Sequence, residues 1–183
     1  MRLRTPLRTR RLVLRTLTSA DAAERYLAWM HDAETMHYLE ARLAEHSLES
    51  LRRYIDSCNA GSDQLLLGIF VPDGGHIGNI KVGPIDPYHQ RAAVGLLIGE
   101  RDEWGKGYAS EVIAAVTTHA FETLGLEKLF AGCYASNVGS VRAFLKAGWT
   151  DEGRGKADWR LDDGREDNIA LGMTRADWSA QRP

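Results

Sequence analysis

Trp104-Gly105-Lys106-Gly107-Tyr108-Ala109-Ser110-Glu111 runs directly into an apolar pattern of helical period, with Ala109, Val112, Ile113, Val116, Ala120 and Phe121 on one face. Gly125 ends that helix. Two glycines at this spacing let the backbone turn tightly enough to aim successive N–H groups into one concavity. The helix behind adds its N–H groups that have no intrahelical acceptor, and the positive end of its dipole. Such a loop binds phosphate, so the stretch predicts a phosphorylated ligand.

Two nucleotide-binding patterns fail here. A P-loop has four residues between its glycines and a Ser or Thr after the lysine, but five residues separate Gly99 from Gly105, and Gly107 follows Lys106. A dinucleotide fingerprint needs a glycine at position 110, where Ser110 stands, and an acidic residue that closes a strand. Glu127 has the approximate spacing but precedes its strand.

Working outward, Leu12 to Leu17 reads as a first strand and Thr18 or Ser19 as the cap of a helix with Ala23, Tyr26, Leu27 and Met30 on one face. Residues 31 to 46 read as irregular. Ser47 caps a second helix carrying Leu48, Leu51, Ile55 and Cys58, closed by Gly61. Leu65 to Val71 and His76 to Val82 form a hairpin through Pro72-Asp73-Gly74-Gly75. Ala92 to Gly99 is a continuous apolar run, which predicts a central strand covered on both faces. Beyond the glycine-loop helix come a strand, Lys128 to Tyr134, and a short helix from Ser136 or Asn137 to Gly148. A last hairpin pairs Ala157 to Leu161 with Asp167 to Met173 around Asp162-Asp163-Gly164. Hairpins flanking one β-α-β-α core make an α+β pattern.

A chain of 183 residues predicts one domain, 1–183. A net charge of −2 argues against nucleic acid as partner. No apolar run reaches the ~18 residues of a membrane span. Six arginines and no acid among the first fifteen residues suggest a transit peptide, but Arg11-Leu12-Val13-Leu14-Arg15 alternates like a strand and leads into a capped helix. The segment therefore reads as folded and the protein as cytoplasmic. Cys58 and Cys133 read as reduced thiols, and His31, His37, His46, His76 and His119 have no metal-like spacing, so no metal is expected.

Asn137-Val138-Gly139-Ser140, with Phe144-Leu145-Lys146-Ala147-Gly148-Trp149 behind it, supplies the specificity. Together with Arg11 to Arg15, Trp29-Met30-His31-Asp32, Gly78-Asn79-Ile80-Lys81 and the glycine loop, these residues resemble the GNAT superfamily of acyl-CoA-dependent N-acyltransferases, in its RimJ/RimL-like branch. The resemblance implies a mixed, mostly antiparallel sheet with helices on both faces and a strand ending at Ile98 that splays from the strand beginning at Lys128. It implies acetyl-CoA as co-substrate. The backbone at Ile98 would bond the pantetheine arm, and the amides of Trp104, Gly105, Lys106, Gly107, Tyr108 and Ala109 would cradle the pyrophosphate. Asn137 would hold the end of the pantetheine, and Ser140 would lie near the thioester sulfur. Asp102 departs from the Gln or Arg often found at its position and is expected to face solvent.

Acyl transfer to an amine needs a neutral amine, donors for the oxyanion and a proton for the departing thiolate. A backbone N–H near Ile98 or Gly99 is the candidate oxyanion donor. Many relatives protonate the thiolate with a tyrosine where this chain has Phe144, so Ser140 is the leading substitute and Tyr134 the second. The apolar strand offers no carboxylate, leaving Glu40, His89 and Asp86 as candidate bases. The loop from His31 to His46 and the turn from Gly83 to Arg91 are expected to wall the acceptor site, with Tyr38, Arg42, Lys81 and Asp86 as binding residues. Lys81 and Arg42 together suit a phosphate and hence a nucleotide-linked amino sugar, while relatives in this branch also acetylate protein N-termini. A non-catalytic acyl-CoA-binding regulatory or scaffold protein is the alternative, favoured by Phe144 and the missing strand carboxylate. Trp159, on the terminal hairpin, is a candidate contact for a homodimer.

Overall fold

The structure, a computed structural model, describes residues 1–162 and 164–182. Its strands are β1 (Leu7–Arg8), β2 (Val13–Thr16), β3 (Leu65–Phe70), β4 (His76–Asp86), β5 (Arg91–Ile98), β6 (Lys128–Tyr134), β7 (Thr150–Leu161) and β8 (Gly164–Thr174). Its helices are α1 (Glu24–His31), α2 (Ala33–Met36), α3 (Leu48–Ala60), α4 (Tyr108–Glu122), α5 (Val138–Lys146) and α6 (Arg175–Ala180). The strands form one sheet in the order β1-β2-β3-β4-β5-β6-β8-β7. Every described pairing is antiparallel except that of β5 with β6.

Period-two alternation divides the apolar residues between two cores. Leu67, Ile80, Leu129 and Leu171 pack with Val112, Ile113, Val116 and Phe121 of α4. Leu66 and Phe70 face the other way, onto Tyr26 and Trp29 of α1 and Leu51 and Ile55 of α3. Burying a side chain such as Ile55 or Phe121, each 0 % exposed, contributes roughly 1.5–3 kcal/mol. Ser47 caps α3 by accepting from the Ser50 N–H at 3.1 Å.

The strand covered throughout both faces is β3, buried at all six positions, rather than the apolar run at 92–99. Ala92 and Val94 are buried, but Gly95 is exposed and Leu96 to Ile98 are half-buried. The cause is the geometry of β5: it pairs with β4 along its whole length but with β6 only at Arg91↔Lys128, Ala92↔Leu129 and Ala93↔Phe130.

Three other expectations change. Residues 31 to 46 include α2 and a 3-10 turn at Glu40–Leu43. Asp32 starts α2 by accepting from the Thr35 N–H at 2.7 Å. The strand expected from Ala157 begins at Thr150; its register shifts between Asp151 and Gly153 and again between Gly155 and Trp159, which breaks the alternation that marks a strand. Helix α6, absent from the sequence reading, is capped by Thr174, which accepts from the Asp177 N–H at 3.0 Å. Asp163, in the expected terminal turn, lies outside the described residues.

Candidate functional site

Where β5 and β6 separate, β5 keeps one unpaired edge. Gly99 donates its N–H to the Ile77 carbonyl at 2.8 Å, so alternation points the backbone groups of Val94, Leu96 and Ile98 away from β4 and toward the opening. The Ile98 carbonyl accepts from the Trp104 indole at 2.7 Å, which leaves its N–H and both groups of Leu96 facing the cleft. The oxyanion donor expected near Ile98 or Gly99 therefore cannot be Gly99, whose N–H is already paired within the sheet. Gly99 also must be glycine: a Cβ there would lie 2.0 Å from the Trp29 ring.

The glycine loop closes one end of this cleft. Gly105 and Gly107 have φ of 74° and 79°, left-handed values that glycine adopts without strain. Gly107 is the N-cap of α4, with no side chain capping the helix. The first-turn amides of α4 therefore point outward without an intrahelical acceptor, as an anion site requires. Lys106 pairs with Glu103 at 2.8 Å, and Asp102 is exposed. Glu111 accepts from Thr9 Oγ1 at 2.6 Å and from Arg11 N and Nε at 2.9 and 2.8 Å. Burial opposes its charge, yet these donors hold its carboxyl below the usual range. The sequence reading overlooked Arg10, Arg11 and Lys146, which line a cavity of about 670 Å³ beside the loop. The signal for Arg10 and Arg11 is the density of arginine before residue 15; Lys146 carries none in the sequence pattern.

Asn137, on the β6–α5 connection, caps α5 by accepting from the Ser140 N–H at 3.1 Å. The Ser140 hydroxyl lies 3.3 Å from the Cys133 Sγ. Burial raises the Cys133 thiol pKa, with Ser140 pulling it back. Phe144 is 2 % exposed and packs 4.7 Å from Trp149, so it belongs to the core.

On the opposite face of the sheet, three parts of the chain meet. Tyr134, at the end of β6, donates to Glu40. Arg42 donates to Tyr134 Oη at 3.0 Å, to Glu40 at 3.2 Å and to the Arg160 carbonyl at 3.0 Å. Trp159 lies 4.5 Å and Tyr38 5.8 Å from the Tyr134 ring, forming an aromatic wall. Burial first, and then Glu40, raises the Tyr134 pKa, while Arg42 lowers it. Burial works against the Arg42 charge, but Tyr134 and Glu40 outweigh it. The half-buried ring of Trp159 also covers Gly132, where a Cβ would approach it to 2.8 Å.

Two expected members stand apart. Asp86 accepts from the His89 N–H at 2.9 Å in the β4–β5 turn, beside the start of β6. Tyr134 is at the far end of that strand, about 20 Å away for an extended segment of this length. Neither Asp86 nor His89 reaches the cluster around Tyr134. Lys81 is half-buried on β4 with its ammonium 5.9 Å from the Tyr54 ring, while Arg42 is committed to Glu40 and Tyr134. No described contact brings Lys81 and Arg42 together into a phosphate clamp.

Residues 11–150 match the family model described as acetyltransferase (GNAT) domain. The uncharacterized N-acetyltransferase YoaA of Bacillus subtilis is 32 % identical over 149 residues, covering 80 % of this chain and 84 % of that protein. A crystal structure of spermidine N-acetyltransferase from Vibrio cholerae in complex with CoA and spermine superposes with a TM-score of 0.81 at 19 % identity, over 92 % of this chain and 98 % of that one. An acetyltransferase of the GNAT family from Bacillus anthracis gives a TM-score of 0.79 at 21 % identity, over 93 % and 98 %. At these identities the two structures show a shared fold. No described helix is long and apolar enough to cross a membrane, and no group of three His, Cys, Asp or Glu among the described residues could hold a metal ion.

Proposed function

The chain belongs to the acetyltransferase (GNAT) family and is an acyltransferase; from that premise we propose that it moves an acetyl group from acetyl-CoA directly to a primary amine. The amides of Gly105 to Ala109 hold the pyrophosphate, the open edge of β5 at Leu96 and Ile98 bonds the pantetheine arm, and Asn137 holds its end. The amine enters from the opposite face, against Tyr38, Tyr134 and Trp159. Of the branches within the family, the RimJ/RimL-like one fits the motifs from Arg11 to Trp149.

The observation that carries this reading is the Tyr134–Glu40 hydrogen bond beside the separated strands. The amine nitrogen attacks the thioester carbon, and Glu40 takes the proton that the nitrogen loses. As the carbon–sulfur bond breaks, Tyr134 gives its proton to the thiolate, and Glu40 restores it across their hydrogen bond. The net result moves one proton from amine to thiol and returns both side chains to their starting states. Tyr134 replaces Ser140 as first candidate acid because the Ser140 hydroxyl faces Cys133.

A small-molecule amine suits the aromatic wall and the 70 % exposed Glu40 side chain, since a cationic amine gains from both. A protein N-terminus is the second acceptor class, and a nucleotide-linked amino sugar the third, with Lys81 as its one remaining phosphate contact. Thiol release from acetyl-CoA with spermine, an N-terminal peptide and a nucleotide-linked amino sugar tests this. Turnover with the peptide alone excludes the small-molecule acceptor. CoA binding without turnover on any amine selects the non-catalytic alternative, which the buried Phe144 favours.

A further inference from the structure

The arginine-rich N-terminus remains to be accounted for. Arg10 and Arg11 lie between β1 and β2 and line the cavity of about 670 Å³ with Lys106 and Ser110 at the start of α4, Lys146 at the end of α5, and Gln181. A Cβ on Gly107 would stand 3.7 Å from Arg11 Nη2 and 3.8 Å from Lys146 Nζ, so two cations from distant segments converge on the loop.

Arg11 is held in place before any ligand arrives. Its Nε bonds Glu111 at 2.8 Å, its Nη1 donates to the Lys106 carbonyl at 2.9 Å, and its guanidinium lies 4.5 Å from the Tyr108 ring centre. These contacts leave Nη2 turned toward the cavity, and a fork already ordered loses little entropy on binding. Arg10 and Lys146 are exposed and make no side-chain hydrogen bond or ion pair with another described residue. Glu111 is the one carboxylate on the wall, and both its oxygens are already engaged by Thr9 and Arg11. Lys106 is paired with Glu103 and Arg11 with Glu111, so Arg10 and Lys146 remain as two cations without a carboxylate partner among the described residues, beside the free Nη2 of Arg11.

We infer that this cavity is a second anion subsite, in which Arg10, Arg11 and Lys146 bind the phosphomonoester on the ribose of the donor, so that the N-terminal arginine segment makes the protein selective for the phosphorylated cofactor. The inference rests on the reading that the donor is acetyl-CoA. A phosphomonoester carries close to two negative charges at neutral pH and forms charge-assisted hydrogen bonds, which are the strong kind.

Isothermal titration of the full chain with CoA and with dephospho-CoA tests it. Wild-type protein should bind CoA at least tenfold more tightly. Arg10→Ala and Lys146→Ala, both at exposed positions, should each shrink that ratio several-fold and leave the affinity for dephospho-CoA within about twofold, given the usual size of a hydrogen bond to a charged group. Equal affinities in the wild type, or variants that weaken both ligands alike, overturn the subsite while leaving the donor assignment intact. Failure of both ligands to bind overturns the donor assignment and the subsite with it.

Discussion

The Tyr134 phenol donates its hydrogen bond to the Glu40 carboxylate, and Arg42 bonds both groups from one side. The two partners are ninety-four residues apart in sequence, one at the end of a central strand and the other in a short turn between helices. In the proposed mechanism their contact couples an acid to a base, in place of the tyrosine that the resemblance implies where Phe144 stands. Tyr134→Phe removes the proton donor while keeping the ring packed against Trp159 and Tyr38. Its kcat should fall roughly 10²-fold or more, the usual size of general acid–base catalysis, with KM for acetyl-CoA nearly unchanged. Steady-state kinetics check this, and a melting temperature close to wild type shows that the fold is intact.

The pH dependence follows from the same contact. The Tyr134 pKa is raised, so the phenol keeps its proton to higher pH than an ordinary tyrosine with pKa of about 10. The acid-competent form should persist across the neutral and mildly alkaline range, and kcat should show no alkaline decline attributable to Tyr134 below about pH 10. Glu40→Gln keeps the shape but cannot accept a proton. It should lower kcat, by up to the roughly 10²-fold usual for loss of a general base, with KM for acetyl-CoA nearly unchanged in steady-state kinetics.

Gly107→Ala tests the loop. At φ of 79° an added Cβ costs about 1–2 kcal/mol, and relief of that strain would rotate the amides at the start of α4. A lower melting temperature and weaker CoA binding should appear together. Calorimetry and ligand titration on the same sample check the pair.

Acid stability has a separate, local source. Asp21 bonds Arg15 and the Thr18 N–H; burial opposes its ionisation, but these donors prevail and hold its pKa at about 2. A depressed folded-state pKa gives stability that is complete above the unfolded value near 4 and is lost as pH falls toward 2. After solvent screening the contribution is about 1–2 kcal/mol. Asp21→Asn should lower denaturant stability at pH 7 by that amount and flatten the loss between pH 5 and pH 2.

What could be read in advance divides by the range of the interaction. Ser47, Gly107 and the apolar faces of α3 and α4 act within a few residues, and their elements emerged with nearly the expected bounds. Thr174 and Asp177, three residues apart, carry an equally local signal for α6. The end of β5 departs from the expected burial because burial depends on a neighbour in the sheet: the same apolar run is covered where β6 pairs with it and open where β6 departs. Tyr134 and Glu40 were both candidates, but their contact comes from the way α2 and its following turn settle on the end of β6. No spacing in the chain encodes that. Asp86 and His89 lie apart from Tyr134 for the converse reason: their turn is adjacent in sequence to β5 and sits beside the start of β6, whereas Tyr134 is at its end.

Thiol release from acetyl-CoA, measured for wild type and Tyr134→Phe with the amine that supports the fastest turnover, decides whether Tyr134 is the acid. Wild-type protein should release thiol steadily and the variant roughly 10²-fold more slowly, with acetyl-CoA affinity retained. Equal rates in the two proteins would remove Tyr134 from the mechanism.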